Sequence, residues 1–282
     1  MGKIGAYLEI IRPINSLMLG LAIIIGALIS GGTSVLDQSI NLLLAFITGF
    51  SLTGASMAIN DYFDQEIDEI NEPGRPLPSG RMEPVGALIL TGLLSVIGIG
   101  AAFLVSIRAL GLSVLAWILM MCYSAWAKKT GFLGNIIVSV CIGLPFIYGG
   151  LLSGNLLTAT NFSLIAFLSN TGREITKGIV DVEGDAESGI STVAVSMGED
   201  FAAKFSALFY LGSVFSSLIP VFKNLVSIWY IPFVLITDLG LIHSSYSLVQ
   251  RTTRENARMV KNRVLYLMLV GLIGFALGGL LK

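Results

Sequence analysis

The stretch INLLLAFITGFSLTGASMAINDYFDQEID, residues 40–68, stays largely apolar as far as Ile59 and then turns acidic within a helical turn. A hydrocarbon core about 30 Å thick is crossed by about 20 apolar residues in a helix. The stretch therefore reads as a membrane span that delivers Asn60, Asp61, Asp64 and Asp68 to a membrane surface. Outward from it, apolar runs between polar or Gly/Pro punctuation recur near 14–31, 84–107, 110–127, 132–152, 161–180, 201–222, 226–249 and 263–281. With the run near 40–60 they predict an all-α, polytopic membrane protein of nine transmembrane helices.

Composition agrees. The 282 residues are 54% apolar and 12% charged, against about 25% charged in a soluble domain, and the mean hydropathy is +0.83. An ordinary soluble enzyme is excluded. The net charge of −1 offers nothing to nucleic acid. Cys122 and Cys141 fall inside apolar runs and read as packing residues, not as a disulfide or a metal site.

Charge is segregated along the chain. With the N-terminus cytoplasmic, all 17 basic residues except Arg108, Lys223 and Lys282 fall on that side, as the positive-inside rule requires. The two long connections, 61–83 and 181–200, lie on the same side. Chemistry is expected there, because long loops with sequence content carry function. The basic run Arg251, Arg254, Arg258, Lys261 and Arg263 reads as a tail of the eighth helix that anchors it to anionic membrane lipids.

Asn60, Asp64 and Asp68 have i, i+4, i+8 spacing, which puts them on one helical face. Asp181 and Asp185 repeat the spacing after the sixth run, with Glu183 between them and Gly184 weakening helix continuity. Like charges at i, i+4 repel, and a divalent ion removes the conflict. Oxygen ligands without His or Cys favour hard cations, and Mg²⁺ takes a few carboxylates while keeping water and substrate phosphates as its other ligands. Two such clusters suit a diphosphate bridged by Mg²⁺.

Asn60-x-x-x-Asp64-x-x-x-Asp68 and Asp181-x-x-x-Asp185 resemble the two signature motifs of the UbiA superfamily of intramembrane prenyltransferases. Other stretches resemble further elements of that superfamily: Arg12-Pro13-x-Asn15, Asn71-x-Pro73-x-Arg75-Pro76 with Gly80-Arg81, Tyr123-Ser124 before Lys128-Lys129, and Gly189-x-x-Thr192-x-Ala194. The resemblance spans 1–282 as a single domain. It implies nine transmembrane helices around a central cavity, cytoplasmic active-site loops, and Mg²⁺-dependent transfer of a prenyl group from an isoprenoid diphosphate. Within the superfamily, the run from Arg173 through Asp185 is similar to the archaeal digeranylgeranylglyceryl phosphate synthases, which implies a prenylated glyceryl phosphate as acceptor. The first motif is shared with enzymes that prenylate aromatic precursors of quinones and haem, so an aromatic acceptor stays open.

On this reading Asn60, Asp64, Asp68, Asp181 and Asp185 hold Mg²⁺, with Asp61 and Glu183 as accessory ligands or as groups that support the ligands from behind. Arg75 and Lys128 contact the donor diphosphate. Arg12, Arg173 and Lys177 meet the acceptor phosphate, since guanidinium and ammonium suit phosphate as fork and point charge. Asn15, one turn beyond Arg12, faces the cavity, and Tyr123 offers a π face to an allylic cation. His243 is expected to be packed and hydrogen-bonded within its helix, and Asp238 to find a structural polar partner, because intramembrane ionisable groups are costly.

Overall fold

The computed structural model describes residues 3–281. Met1, Gly2 and Lys282 lie outside the described residues, as do the side chains of Lys3, Ile4, Ile70 and Asn71. The described residues are helical throughout apart from turns, and they divide into two compact units.

The first unit comprises the chain up to Ile24 and Leu36–Trp126. It holds α1 (Lys3–Ile10), the first half of α2 (Pro13–Gly31), α3 (Ser39–Phe63), α4 (Gln65–Asn71), α5 (Pro84–Val105) and α6 (Ile107–Ala125). Small residues let these helices approach. A Cβ on Gly49 would meet the Gly20 backbone at 3.0 Å, and one on Gly98 would meet the Leu52 side chain at 2.8 Å. Such small-residue contacts are how helices pack where lipid removes the hydrophobic drive between them. At the end carrying the first acidic cluster, Ala6, Ile10, Ile11, Ala58, Leu77 and Met82 form a buried apolar cluster. Arg81 then ties α1 to the loop before α5 through two hydrogen bonds to Glu9, of 2.7 and 3.0 Å.

The second unit comprises Ile25–Val35 and the chain from Ala127. It opens with the last turns of α2 and continues through a 3₁₀ turn (Ala127–Thr130), α7 (Phe132–Ser153), α8 (Leu156–Val180), α9 (Val182–Glu187), α10 (Val193–Met197), α11 (Glu199–Phe222), α12 (Tyr230–Gln250) and α13 (Arg254–Leu280). Its core gathers Ile175, Ile179, Tyr210, Leu248, Val260 and Val264. Buried hydroxyls add a polar seam: Thr176, Ser206 and Tyr210 lie within 2.7–2.8 Å of one another in two linked bonds.

Among the described residues nine helices are 19 to 27 residues long. Seven stretches are long and apolar enough to cross a membrane, which makes the chain a multi-pass membrane protein. The first of these, Pro13–Phe63, contains both α2 and α3, joined by a 3₁₀ segment. The helix α8 is not among the seven because its sequence carries Asn161, Asn170, Arg173, Glu174 and Lys177.

Several local expectations change. The eighth helix starts at Tyr230, not near 226, and the ninth starts at Arg254, about nine residues early. Arg254, Arg258, Lys261 and Arg263 therefore belong to the first turns of α13, whose N-terminus is capped by Thr253 accepting from the Asn256 N–H at 3.3 Å. His243 is exposed on α12, contrary to a packed role, and Cys122 is exposed on α6. Asp238 has the expected polar partner: it is buried and accepts from the Ser217 hydroxyl at 2.7 Å.

Candidate active site

The first acidic cluster is built at the α3–α4 junction. Asp64 ends α3 and precedes α4 with φ −94° and ψ 4°, in the sparsely populated bridge region where active-site residues recur. The backbone ladder runs through it: the Asp64 N–H donates to Asn60 at 2.9 Å and the Asp68 N–H to Asp64 at 2.8 Å. The i, i+4 arithmetic thus survives the junction. The Asn60 amide donates to the Asp64 carboxylate at 2.8 Å, so these two side chains do share a face.

Asp61 and Asp68 are nearly inaccessible, at 3% and 5% exposed. A buried carboxylate needs a charged partner, and two arginines supply it. Arg12 donates to Asp61 at 2.7 Å, and Arg75 donates to Asp68 at 2.5 Å while standing 3.6 Å from Asp61. Arg12 occupies the left-handed region at φ 45°, where the chain turns from α1 into α2. That conformation is strained for a side chain of this size and persists where surrounding contacts hold it. The ion pair with Asp61 is such a contact. Asn15, on the first turn of α2, is exposed.

The second cluster repeats the design. Asp181 ends α8 and precedes α9 with φ −104° and ψ 9°. Its N–H donates to Lys177 at 3.1 Å, and the Asp185 N–H donates to Asp181 at 2.8 Å. Gly184 does not break the turn. Burial, with Asp181 alongside and Lys177 opposing, pushes the Asp185 carboxyl up to about 6. Glu183 is exposed and pairs with Arg254 at 3.1 Å. Arg173 and Lys177 continue the i, i+4 series towards Asp181 and Asp185. Lys177 is exposed, whereas Arg173 is half-buried, pairs with Glu174 at 2.9 Å and has a buried Nε without a hydrogen-bond partner.

Lys128 lies half-buried in the 3₁₀ turn before α7, and burial, with Lys129 next to it, lowers its ammonium to about 8. Tyr123 is half-buried in the last turn of α6. Among the described residues no three carboxylate, His or Cys groups are already gathered into a metal cage. The donor set is instead three spaced side chains in the first unit, Asn60, Asp64 and Asp68, and two in the second, Asp181 and Asp185, which fits a cation that keeps water and phosphate ligands. The part that local spacing could not reveal is the arginine pairing, because Arg12 is 49 positions from Asp61.

Two long helices, α3 and α8, thus end on acidic residues with the same backbone geometry and the same spacing. A sequence profile of the UbiA prenyltransferase family matches residues 16–277. The chain belongs to the UbiA prenyltransferase family. It is 32% identical over 274 residues to the digeranylgeranylglyceryl phosphate synthase of Methanosphaera stadtmanae, covering 97% of this chain and 99% of that protein. A solved digeranylgeranylglyceryl phosphate synthase superposes with a TM-score of 0.87 and 30% identity over 100% of both chains. The UbiA homologue from Archaeoglobus fulgidus bound to DMAPP and Mg²⁺ shares the fold, with a TM-score of 0.65 and 16% identity over 94% of this chain and 98% of that one.

Proposed function

We propose that this UbiA-family protein transfers the geranylgeranyl group of geranylgeranyl diphosphate to the secondary hydroxyl of geranylgeranylglyceryl phosphate, forming the second ether bond of an archaeal membrane lipid. The observation that carries the reading is the pair of equivalent acidic helix ends, in a chain that matches digeranylgeranylglyceryl phosphate synthases over nearly its full length. The whole chain acts as one catalytic domain with nine crossings. In this reading α2 and α3 each span the membrane, and α8 is the crossing whose polar face compensates its low hydropathy. The N-terminus and the loops bearing both acidic clusters are cytoplasmic.

Asn60, Asp64 and Asp68 in the first unit, and Asp181 and Asp185 in the second, hold Mg²⁺, the ion that accompanies DMAPP in the Archaeoglobus fulgidus homologue. When bound, Mg²⁺ neutralises the charge that develops on the departing diphosphate. Arg75 and Lys128 add fixed positive charge for the same leaving group, because electrostatic stabilisation of developing charge is the largest catalytic term available to side chains. As the allylic C–O bond breaks, the electron pair leaves with the diphosphate. The acceptor oxygen then forms the new C–O bond, and its proton passes to the released diphosphate or to a carboxylate of the first cluster, Asp61 or Asp68. Asp61 accepts from Arg12 and stands beside Arg75, so its part is to hold these two guanidiniums at the first cluster. Lys177 and Arg173 serve the acceptor phosphate, supported by their shared helical face and the unpaired Arg173 Nε. Arg12 and Asn15 line the entry to α2, and Tyr123 presents its ring to the allylic cation.

The test is product analysis of purified protein with Mg²⁺ and geranylgeranyl diphosphate, offered geranylgeranylglyceryl phosphate and, separately, aromatic acids. An ether-lipid product that disappears with EDTA, and falls at least ~10²-fold in Asp64→Ala and in Asp185→Ala, is expected. Product from the aromatic acceptor alone would sink the lipid assignment and leave the family chemistry intact.

A further inference from the structure

Gly131 follows the lysine turn and opens α7, at φ 65° and ψ −109°, a conformation open only to glycine. Its surroundings demand glycine a second time. A Cβ built there would lie 2.0 Å from the Ser191 carbonyl oxygen, 2.5 Å from the Ser191 carbonyl carbon and 2.9 Å from the Thr192 Cα. All three are backbone atoms, so no rotamer change can relieve the clash. The Gly131 backbone is therefore seated directly on the loop that follows the second acidic cluster.

Both sides of this contact are tied to groups already assigned to the diphosphate. On one side, the Asn135 N–H donates to Gly131 at 3.2 Å, the Thr130 hydroxyl closes the turn on Ala127 at 2.6 Å, and a Cβ on Gly134 would lie 2.7 Å from the Ala127 carbonyl oxygen. The turn carrying Lys128 is thus packed against the start of α7. On the other side, the Ile190 N–H donates to the Asp185 carbonyl at 2.8 Å, one residue before Ser191. Thr192 then caps α10 by accepting from the Val195 N–H at 3.3 Å. Beside the contact, Phe132, Val193, Met197, Phe201 and Phe205, with Ser191 and Ser196, line a mainly apolar cavity of about 290 Å³.

We infer that Gly131 is a positioning residue, whose seat on Ser191 holds the Lys128 turn in register with the loop of Asp185 so that both reach the donor diphosphate together. The inference rests on the reading of Lys128 and Asp185 as donor-side groups. Gly131 touches no substrate. It acts through Lys128, and a side chain at 131 would push the turn and the acidic loop apart.

The experiment is a double-mutant cycle in the full-length protein, with Gly131→Ala, Lys128→Ala and both together, read as kcat and KM for geranylgeranyl diphosphate and for the acceptor. Gly131→Ala is expected to raise the donor KM about tenfold, with acceptor KM changed less than about threefold, and to add less than about threefold in the Lys128→Ala background. Full additivity of the two losses, or a Gly131→Ala enzyme with wild-type donor KM, overturns the inference while leaving the functional reading in place. A silent Lys128→Ala removes the reading of Lys128 and the inference with it. Hydrogen exchange on the wild-type protein keeps the test decisive should Gly131→Ala fail to fold. Mg²⁺ with geranylgeranyl diphosphate is expected to protect residues 127–131 and 185–192 together, and protection of one segment without the other overturns the coupling.

Discussion

With the roles proposed for Asp185 and Lys128, two ionisable side chains are expected to set the pH window of the enzyme from opposite sides. Asp185 titrates near 6 because burial and Asp181 disfavour its anion, and only the anion is a metal ligand. As pH falls through about 6 the carboxyl takes a proton, so the Mg²⁺ concentration for half-maximal activity is expected to rise below that point. Lys128 titrates near 8 because burial and Lys129 disfavour its cation, and only the cation attracts diphosphate. As pH rises through about 8 the charge is lost, so the donor KM is expected to climb. Steady-state kinetics across pH 5 to 9 check both limbs, and Lys128→Arg, which stays charged throughout, flattens the alkaline one. Asp61 makes a contrasting case. Its oxygen is held by Arg12 and Arg75, so Asp61→Asn is expected to cost about 1–3 kcal/mol of stability, seen as a lower melting temperature in detergent. Mg²⁺ half-saturation should move less than about threefold, whereas Asp64→Asn should shift it by tenfold or more. A large Mg²⁺ shift in Asp61→Asn would return that carboxylate to the metal.

Helices α3 and α8 owe their role to where they stop. Each ends on an aspartate in near-bridge geometry, α3 after an apolar run and α8 after a polar last third, and each keeps the i→i−4 ladder into a short acidic helix. The spacing is legible in the sequence, since i, i+4 carboxylates fall on one helical face. The start of α13 is harder to see. Arg254 through Arg263 read from the sequence as the tail of the eighth helix, although Thr253 followed by a polar helical turn is a capping signal for a new one. Its glycines are explained only by packing. Gly274 and Gly278, spaced as a GxxxG pair on α13, pack against Phe233 and Tyr230 of α12, so this pair serves contacts within the chain. Gly279 is tighter: an added Cβ would lie 2.6 Å from the Ile29 backbone nitrogen. Gly279→Leu is therefore expected to destabilise by about 1–3 kcal/mol or more, measured as loss of folded protein on heating in detergent. Gly92, with open space around its Cα, is the control, and Gly92→Leu should leave the melting temperature within a few degrees.

The chain as a whole commits to one orientation if its basic residues mark the cytoplasmic side. Single cysteines introduced at Ser79 and Ser188, both exposed in the long connections, are expected to resist a membrane-impermeant maleimide in intact cells and to react after permeabilisation. A cysteine at Ser34, exposed in the turn between α2 and α3, is expected to react without it. The opposite pattern would invert the topology and move both acidic clusters outside. These expectations come from charge counting along the chain, as do the helix count and the two acidic spacings, because hydropathy and i, i+4 periodicity are properties of neighbours in sequence. The folded molecule settled other matters. It chose the guanidiniums that meet Asp61 and Asp68, seated Gly131 on Ser191, and left His243 exposed instead of packed. The meetings of Arg12 with Asp61 and of Gly131 with Ser191 join groups dozens of positions apart, and no local pattern encodes them.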